Sequence, residues 1–155
     1  MTKIFEDEFM EWQSDMVDIA KEYIENRAEK IYLYGSIEGG GYSFNLFFKI
    51  NNQIVTMDQV NSVLNEGERE YDLSDDRQWA VLRVGTKDLQ EIKKVCTKYE
   101  QPVPTQFKLY YDVHENSLKA KYKYDPMYSN TDDLHSSDIF MSWYEEVKQE
   151  IDGEK

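Results

Sequence analysis

Residues 31 to 50, IYLYGSIEGGGYSFNLFFKI, decide the fold. Ile31 to Ile37 alternates in character and is rich in β-formers. Glu38-Gly-Gly-Gly41 is a flexible turn. From Tyr42 to Ile50 the chain alternates again, with Phe44, Leu46, Phe48 and Ile50 on one face. A period of two marks strands, and a turn this short joins antiparallel neighbours. Asn51-Asn52 is a second turn, because Asn tolerates positive φ. Gln53 to Met57 follows as a third strand, so the segment is an antiparallel meander.

Working outward toward the C-terminus, Pro102 and Pro104 introduce a hairpin. Phe107, Leu109, Tyr111 and Val113 alternate with Gln106, Lys108, Tyr110 and Asp112. His114 to Ser117 makes the turn. Leu118, Ala120, Tyr122 and Tyr124 then alternate with Lys119, Lys121 and Lys123. One buried and one wet face is the pattern of an antiparallel sheet covered on one side.

Helices flank these strands. Phe5, Phe9, Trp12, Met16, Ile19 and Tyr23 recur at spacings of three or four, which predicts an amphipathic helix over Phe5 to Arg27. Its early acids suit the positive end of the helix dipole. Ser136 or Ser137 is expected to cap a last helix through about Ile151, with Ile139, Phe140, Trp143, Tyr144 and Val147 as its apolar set. The middle, Asp58 to Val84, is less regular. Ser74-Asp-Asp76 suits a helix start through Trp79 and Leu82, although Trp79 to Val84 fits a strand as well. The helix is preferred, with Gly85 as its breaker. Thr86 or Asp88 then caps a further helix through Tyr99, with Leu89, Ile92, Val95 and Cys96 as its stripe. The expected fold is α+β: an antiparallel sheet of about five strands with helices packed on one face and helices at both termini. A single domain is expected over residues 1–151, with a frayed tail at 152–155.

Charge narrows the function. The 155 residues include 31 acidic and 18 basic side chains, a net charge of −13. Such a chain repels nucleic acid and anionic lipid and attracts basic proteins. No run approaches the ~20 apolar residues that span a bilayer. The acidic start, Met1 to Phe9, lacks the basic and apolar regions of a signal peptide, so a cytoplasmic location is expected. The single cysteine, Cys96, cannot form an internal disulfide or build a cysteine-based zinc site.

No catalytic constellation emerges. Cys96 lies on an apolar helix stripe, and His114 and His135 lie in a turn and a polar loop. No stretch has the ligand spacing of a calcium loop. Glu38 to Tyr42 joins two strands and lacks the spacing of a phosphate loop. The expectation is therefore no enzyme, no catalytic residue, no metal and no cofactor. What remains is an acidic run: Glu66, Glu68, Glu70, Asp72, Asp75 and Asp76 place six acids within eleven residues. A solvated loop accounts for it. So does a docking patch for a basic partner, which speeds association and rejects wrong partners more than it adds affinity.

The meander of residues 31–48, the strand from Pro104 to Asp112, the strand from Leu118 to Asp125 and Trp143 in the last helix together resemble the YezG-like antitoxin family. That resemblance covers both ends of the chain in the right order. It rests on strand patterns, a Pro-Thr strand entry and a Tyr-Asp strand exit rather than a catalytic signature, and Asp58 to Val84 matches none of it. It implies a cytosolic immunity protein of a Gram-positive bacterium. The implied partner is a polymorphic toxin, often with an LXG-type export domain, secreted by the type VII system. The best-known toxins of this set carry a nuclease domain that the antitoxin binds and inhibits in the producing cell. Two readings stand beside it: a carboxylate-dependent hydrolase, and an acidic adaptor or scaffold unrelated to toxins.

Overall fold

The computed structural model describes residues 4–154. Five strands form one antiparallel sheet in the order β3-β2-β1-β4-β5. They are β1 (Lys30–Glu38), β2 (Gly41–Ile50), β3 (Gln53–Thr56), β4 (Gln106–Asp112) and β5 (Ser117–Lys123). Three α-helices accompany them: α1 (Phe5–Tyr23), α2 (Asp75–Lys98) and α3 (Ser136–Gly153). A short 3-10 helix, Met57–Val63, follows β3. The fold is α+β with helices toward both ends, as the patterns predict. No helix among the described residues is long and apolar enough to cross a membrane.

Turn chemistry sets the strand register. Glu38 pairs with Gly41, so Gly39 and Gly40 alone make the β1–β2 turn, at φ 57° and 78°. Asn51 and Asn52 do the same between β2 and β3, at φ 50° and 60°. Both turns need the left-handed backbone that Gly and Asn tolerate. The expected helix to Arg27 stops four residues earlier. Glu25 and Asn26 take φ of 55° and 57°, which no α-helix continues.

The sheet is covered on both faces, which corrects the expectation of helices on one face only. α1 and α2 lie on the first face, over Ile31, Leu33, Phe44, Leu46, Phe48, Phe107 and Leu109. α3 lies on the second, where Phe140, Trp143, Val147 and Ile151 bury Tyr32, Tyr34, Phe47 and Ile54. Trp143 meets Phe47, Tyr110 and Tyr32 at ring-centroid distances of 5.0, 5.5 and 6.0 Å. The reason is the aromatic content of the opposite parity. Tyr32, Tyr34 and Phe47 are too large and apolar for a wet face, so the chain must cross the sheet to bury them. Residues 124–135 make that crossing at the end of β1. Glu38 Oε1 accepts hydrogen bonds from the N–H groups of Met127, Tyr128 and Ser129 at 2.9, 3.3 and 3.1 Å, and from Ser129 Oγ at 2.7 Å. Burial works to raise the Glu38 carboxyl, but these bonds outweigh it and hold the group below the usual range. The last helix begins after His135, whose N–H donates to Asp138 at 2.9 Å, rather than at a serine cap. It continues through Gly153, so the first two residues of the tail expected to fray are helical, and the last, Lys155, lies outside the described residues.

A second correction concerns Gly85. It does not break a helix; α2 runs through it for 24 residues. A Cβ at Gly85 would stand 2.1 Å from the Phe44 ring. The glycine is there so that α2 can press onto β2, not to end the helix. Thr86 and Asp88 accordingly sit inside α2 and cap nothing.

Candidate functional site

The six acids of the sequence patch all lie exposed, but they are not equivalent. Glu68 closes the loop on itself. Its Oε1 accepts from the Asn65 N–H at 2.6 Å and the Asn51 amide at 2.7 Å. These bonds hold its carboxyl below the usual range. Asp72 accepts from the Ser74 N–H at 2.9 Å and is likewise lowered. Glu66, Glu70, Asp75 and Asp76 engage no hydrogen bond or ion pair among the described residues. The free charge of the patch therefore resides in these four.

The loop carrying them is ordered, because arginines and a tyrosine pin it. Tyr71 is buried, and the Arg27 guanidinium lies 3.9 Å from its ring centroid. Arg27 also donates to the Arg69 carbonyl at 2.6 Å, and Arg69 pairs with Glu25. Asn61 bonds both the N–H and the carbonyl of Tyr71, at 2.7 and 3.0 Å. Arg77, in the first turn of α2, donates to the carbonyls of Asp72 at 3.0 Å and Tyr23 at 3.1 Å. It thereby satisfies an orphan carbonyl at the C-terminal end of α1 and fixes the acidic loop against it.

A second acidic feature adjoins the first. Trp12, Asp15, Asp18, Ile19 and Glu22 form one stripe of α1, three or four residues apart. Val84, Lys87 and Asp88 face them from α2, and the two stripes enclose a groove of about 400 Å³. Asp88 is its floor. The residue is only 1% exposed, and its Oδ2 has no hydrogen-bond partner. Burial, then a hydrogen bond to the facing Asp15 carboxyl and that carboxyl's charge, push the Asp88 acid up to about 8. An aspartate so placed keeps its proton far above the normal carboxylate range. Among the described residues no three His, Cys, Asp or Glu side chains converge to hold a metal ion.

The remaining candidates lie apart from both features. Cys96 is fully buried on α2, and burial pushes its thiol up. His114 and His135 are exposed at the β4–β5 turn and ahead of α3. On the α3 side of the sheet, β4 and β5 carry Lys108, Lys119, Lys121 and Lys123. The ammonium groups of Lys108 and Lys121 sit 5.4 Å over the rings of Trp143 and Tyr110. The molecule thus presents acids along α1 and the start of α2 and bases on the outer half of the sheet.

Sequence reasoning found the acidic loop and missed Asp88. The signal was available: Val81, Gly85, Asp88, Leu89 and Ile92 share one helical face, and a charged residue on a buried stripe is the anomaly. Reading Gly85 as a breaker hid it, because Asp88 then became a cap. No family model matches the chain, and no curated protein matches it either.

Proposed function

We propose that this protein is an antitoxin, an immunity protein that binds and neutralises a cognate secreted toxin in the cell that makes both. The partner is a toxin domain with a basic surface, for which a nuclease of the type VII, LXG-associated kind is the best fit. The observation that carries the reading is the free acidic surface: Glu66, Glu70, Asp75 and Asp76 are exposed and unpaired on an ordered scaffold. A nuclease cleft is built to hold phosphates, and fixed carboxylates can stand in their place. The YezG-like strand pattern supports the same reading, since its quoted segments fall on β1, β2, β4 and β5, four successive neighbours in the sheet.

The direct test is co-expression with the toxin-like gene beside this one. Cells are expected to survive, and the two proteins to co-purify. Cell death together with no association of the purified proteins sinks the reading.

One observation favours a second reading. A carboxylate hydrolase needs a concave site with acids of raised pKa, and the groove over Asp88 supplies one such acid beside Asp15. Turnover of chromogenic esters or phosphodiesters that disappears in Asp88→Asn would put the enzyme ahead of the antitoxin. An adaptor unrelated to toxins would instead yield only self-association in a pull-down from the native host.

A further inference from the structure

The groove between α1 and α2 is built unlike the rest of the acidic surface. Its floor is a buried carboxyl with an unpartnered oxygen, whereas the loop acids are solvated. Leaving such an oxygen unpaired is costly, so a native chain that keeps one invites a donor from outside. The groove walls say which donor. Asp15, Asp18 and Glu22 line it with three further carboxyls, and Lys87 makes no ion pair with any of them. Trp12, half-buried, contributes an aromatic surface suited to a flat cation. About 400 Å³ leaves room for one long basic side chain.

We propose that the α1–α2 groove is a receptor for a single arginine side chain of the partner protein, with Asp15 and Asp88 accepting its guanidinium and Trp12 lying against it. This rests on the reading of a basic partner given above and deepens it. Continuity with the acidic loop argues for a protein side chain rather than a free metabolite. Glu22 at the groove's end offers its carbonyl to Arg77 at 3.4 Å, and Arg77 bonds Asp72, so groove and loop form one acidic tract. A partner seated on the loop passes directly over the groove. Guanidinium is favoured over ammonium because its fork can span two carboxyls at once.

The groups that face Asp88 set the pH dependence. From α1 they are Asp15, Asp18 and Glu22; from α2 itself, Lys87 and Glu91. The strand residues touching α2 here, Gly35 and Phe44, carry no charge. A guanidinium favours the ionised pair, so its entry expels the proton that Asp88 retains. Binding is therefore expected to tighten as pH rises toward 8 and to weaken below it, by up to about tenfold per unit for one proton.

The test uses the full chain and N-acetyl-arginine amide as probe, followed by the NMR signal of the Trp12 indole N–H. Wild type is expected to bind in the millimolar range, more tightly at pH 8.5 than at 6.5. The neutral N-acetyl-citrulline amide should leave the signal in place. Asp88→Asn, an isosteric change that removes the charge, and Asp15→Asn should each weaken binding about tenfold or more. Equal shifts with citrulline, unchanged binding in both variants, or a response to magnesium or calcium alone overturns the proposal. A parallel titration with the co-expressed toxin separates the two readings. If the arginine probe binds and the toxin does not, the antitoxin reading falls and the groove's chemistry stands.

Discussion

Asp88 is a single residue with a measurable thermodynamic signature. Its folded-state acid lies near 8 against a normal value of 3.8, so the folded protein holds a proton that the unfolded chain releases. A raised pKa stabilises the fold below the unfolded value and loses that contribution as pH rises through the folded one. Stability should therefore decline between about pH 4 and pH 8. Asp88→Asn should remove that slope in urea titrations run across this range, and it should be the more stable protein at pH 9 by about 1 kcal/mol or more. A wild-type curve that is flat over the window, or parallel to the variant's, would show that the carboxyl is not held neutral.

At the scale of elements, α2 and α3 each depend on one close fit. The Gly85 Cβ position is occupied by the Phe44 ring, 2.1 Å away, so Gly85→Ala forces α2 off β2 although alanine is the better helix former. We expect a loss of about 1–3 kcal/mol in chemical denaturation. A gain would mean that helix propensity outweighs the contact. α3 hangs on Trp143, which is 3% exposed and meets three aromatic rings across the sheet. Trp143→Ala should cost about 3–5 kcal/mol in the same measurement. A cost well below 1 kcal/mol would show that α3 lies outside the cooperative unit.

For the whole molecule the relevant quantity is how charge is arranged. A net charge of −13 is distributed with acids on α1 and the loop into α2, and lysines on the bare half of the sheet. Of the six acids in the loop, Glu68 and Asp72 maintain the loop's own geometry, so reversing them would unmake the surface rather than test it. Reversing Glu66, Glu70, Asp75 and Asp76 to Lys tests it cleanly. Exposed pairs contribute about 0.2–1 kcal/mol each, so partner affinity should drop about tenfold or more at low salt, with unfolding unchanged. The effect should shrink as salt is raised. Affinity that is unchanged at low salt removes the loop from the interface.

Much of this architecture is legible in the residues themselves. Alternation in Ile31 to Ile50 and in Phe107 to Tyr122, with Gly39-Gly40 and Asn51-Asn52 between strands, specifies strands and turns locally, because pleat and turn geometry are local matters. The acidity of the loop is equally plain. Three things are not local. That Gly85 continues a helix depends on Phe44, which lies 41 positions away in the chain and belongs to a strand. That α3 crosses to the far face depends on Tyr32, Tyr34 and Phe47 needing a cover that neither α1 nor α2 can reach. That Asp88 is a buried acid with one oxygen unpartnered and its proton retained depends on α1 lying over it with Asp15 opposite. Sequence by itself determined the strands, their turns and the sign of the surface. Only the tertiary structure decided which carboxyls are free, which are committed to holding the loop, and which one is buried, because burial and pairing belong to neighbours that the chain brings together only on folding.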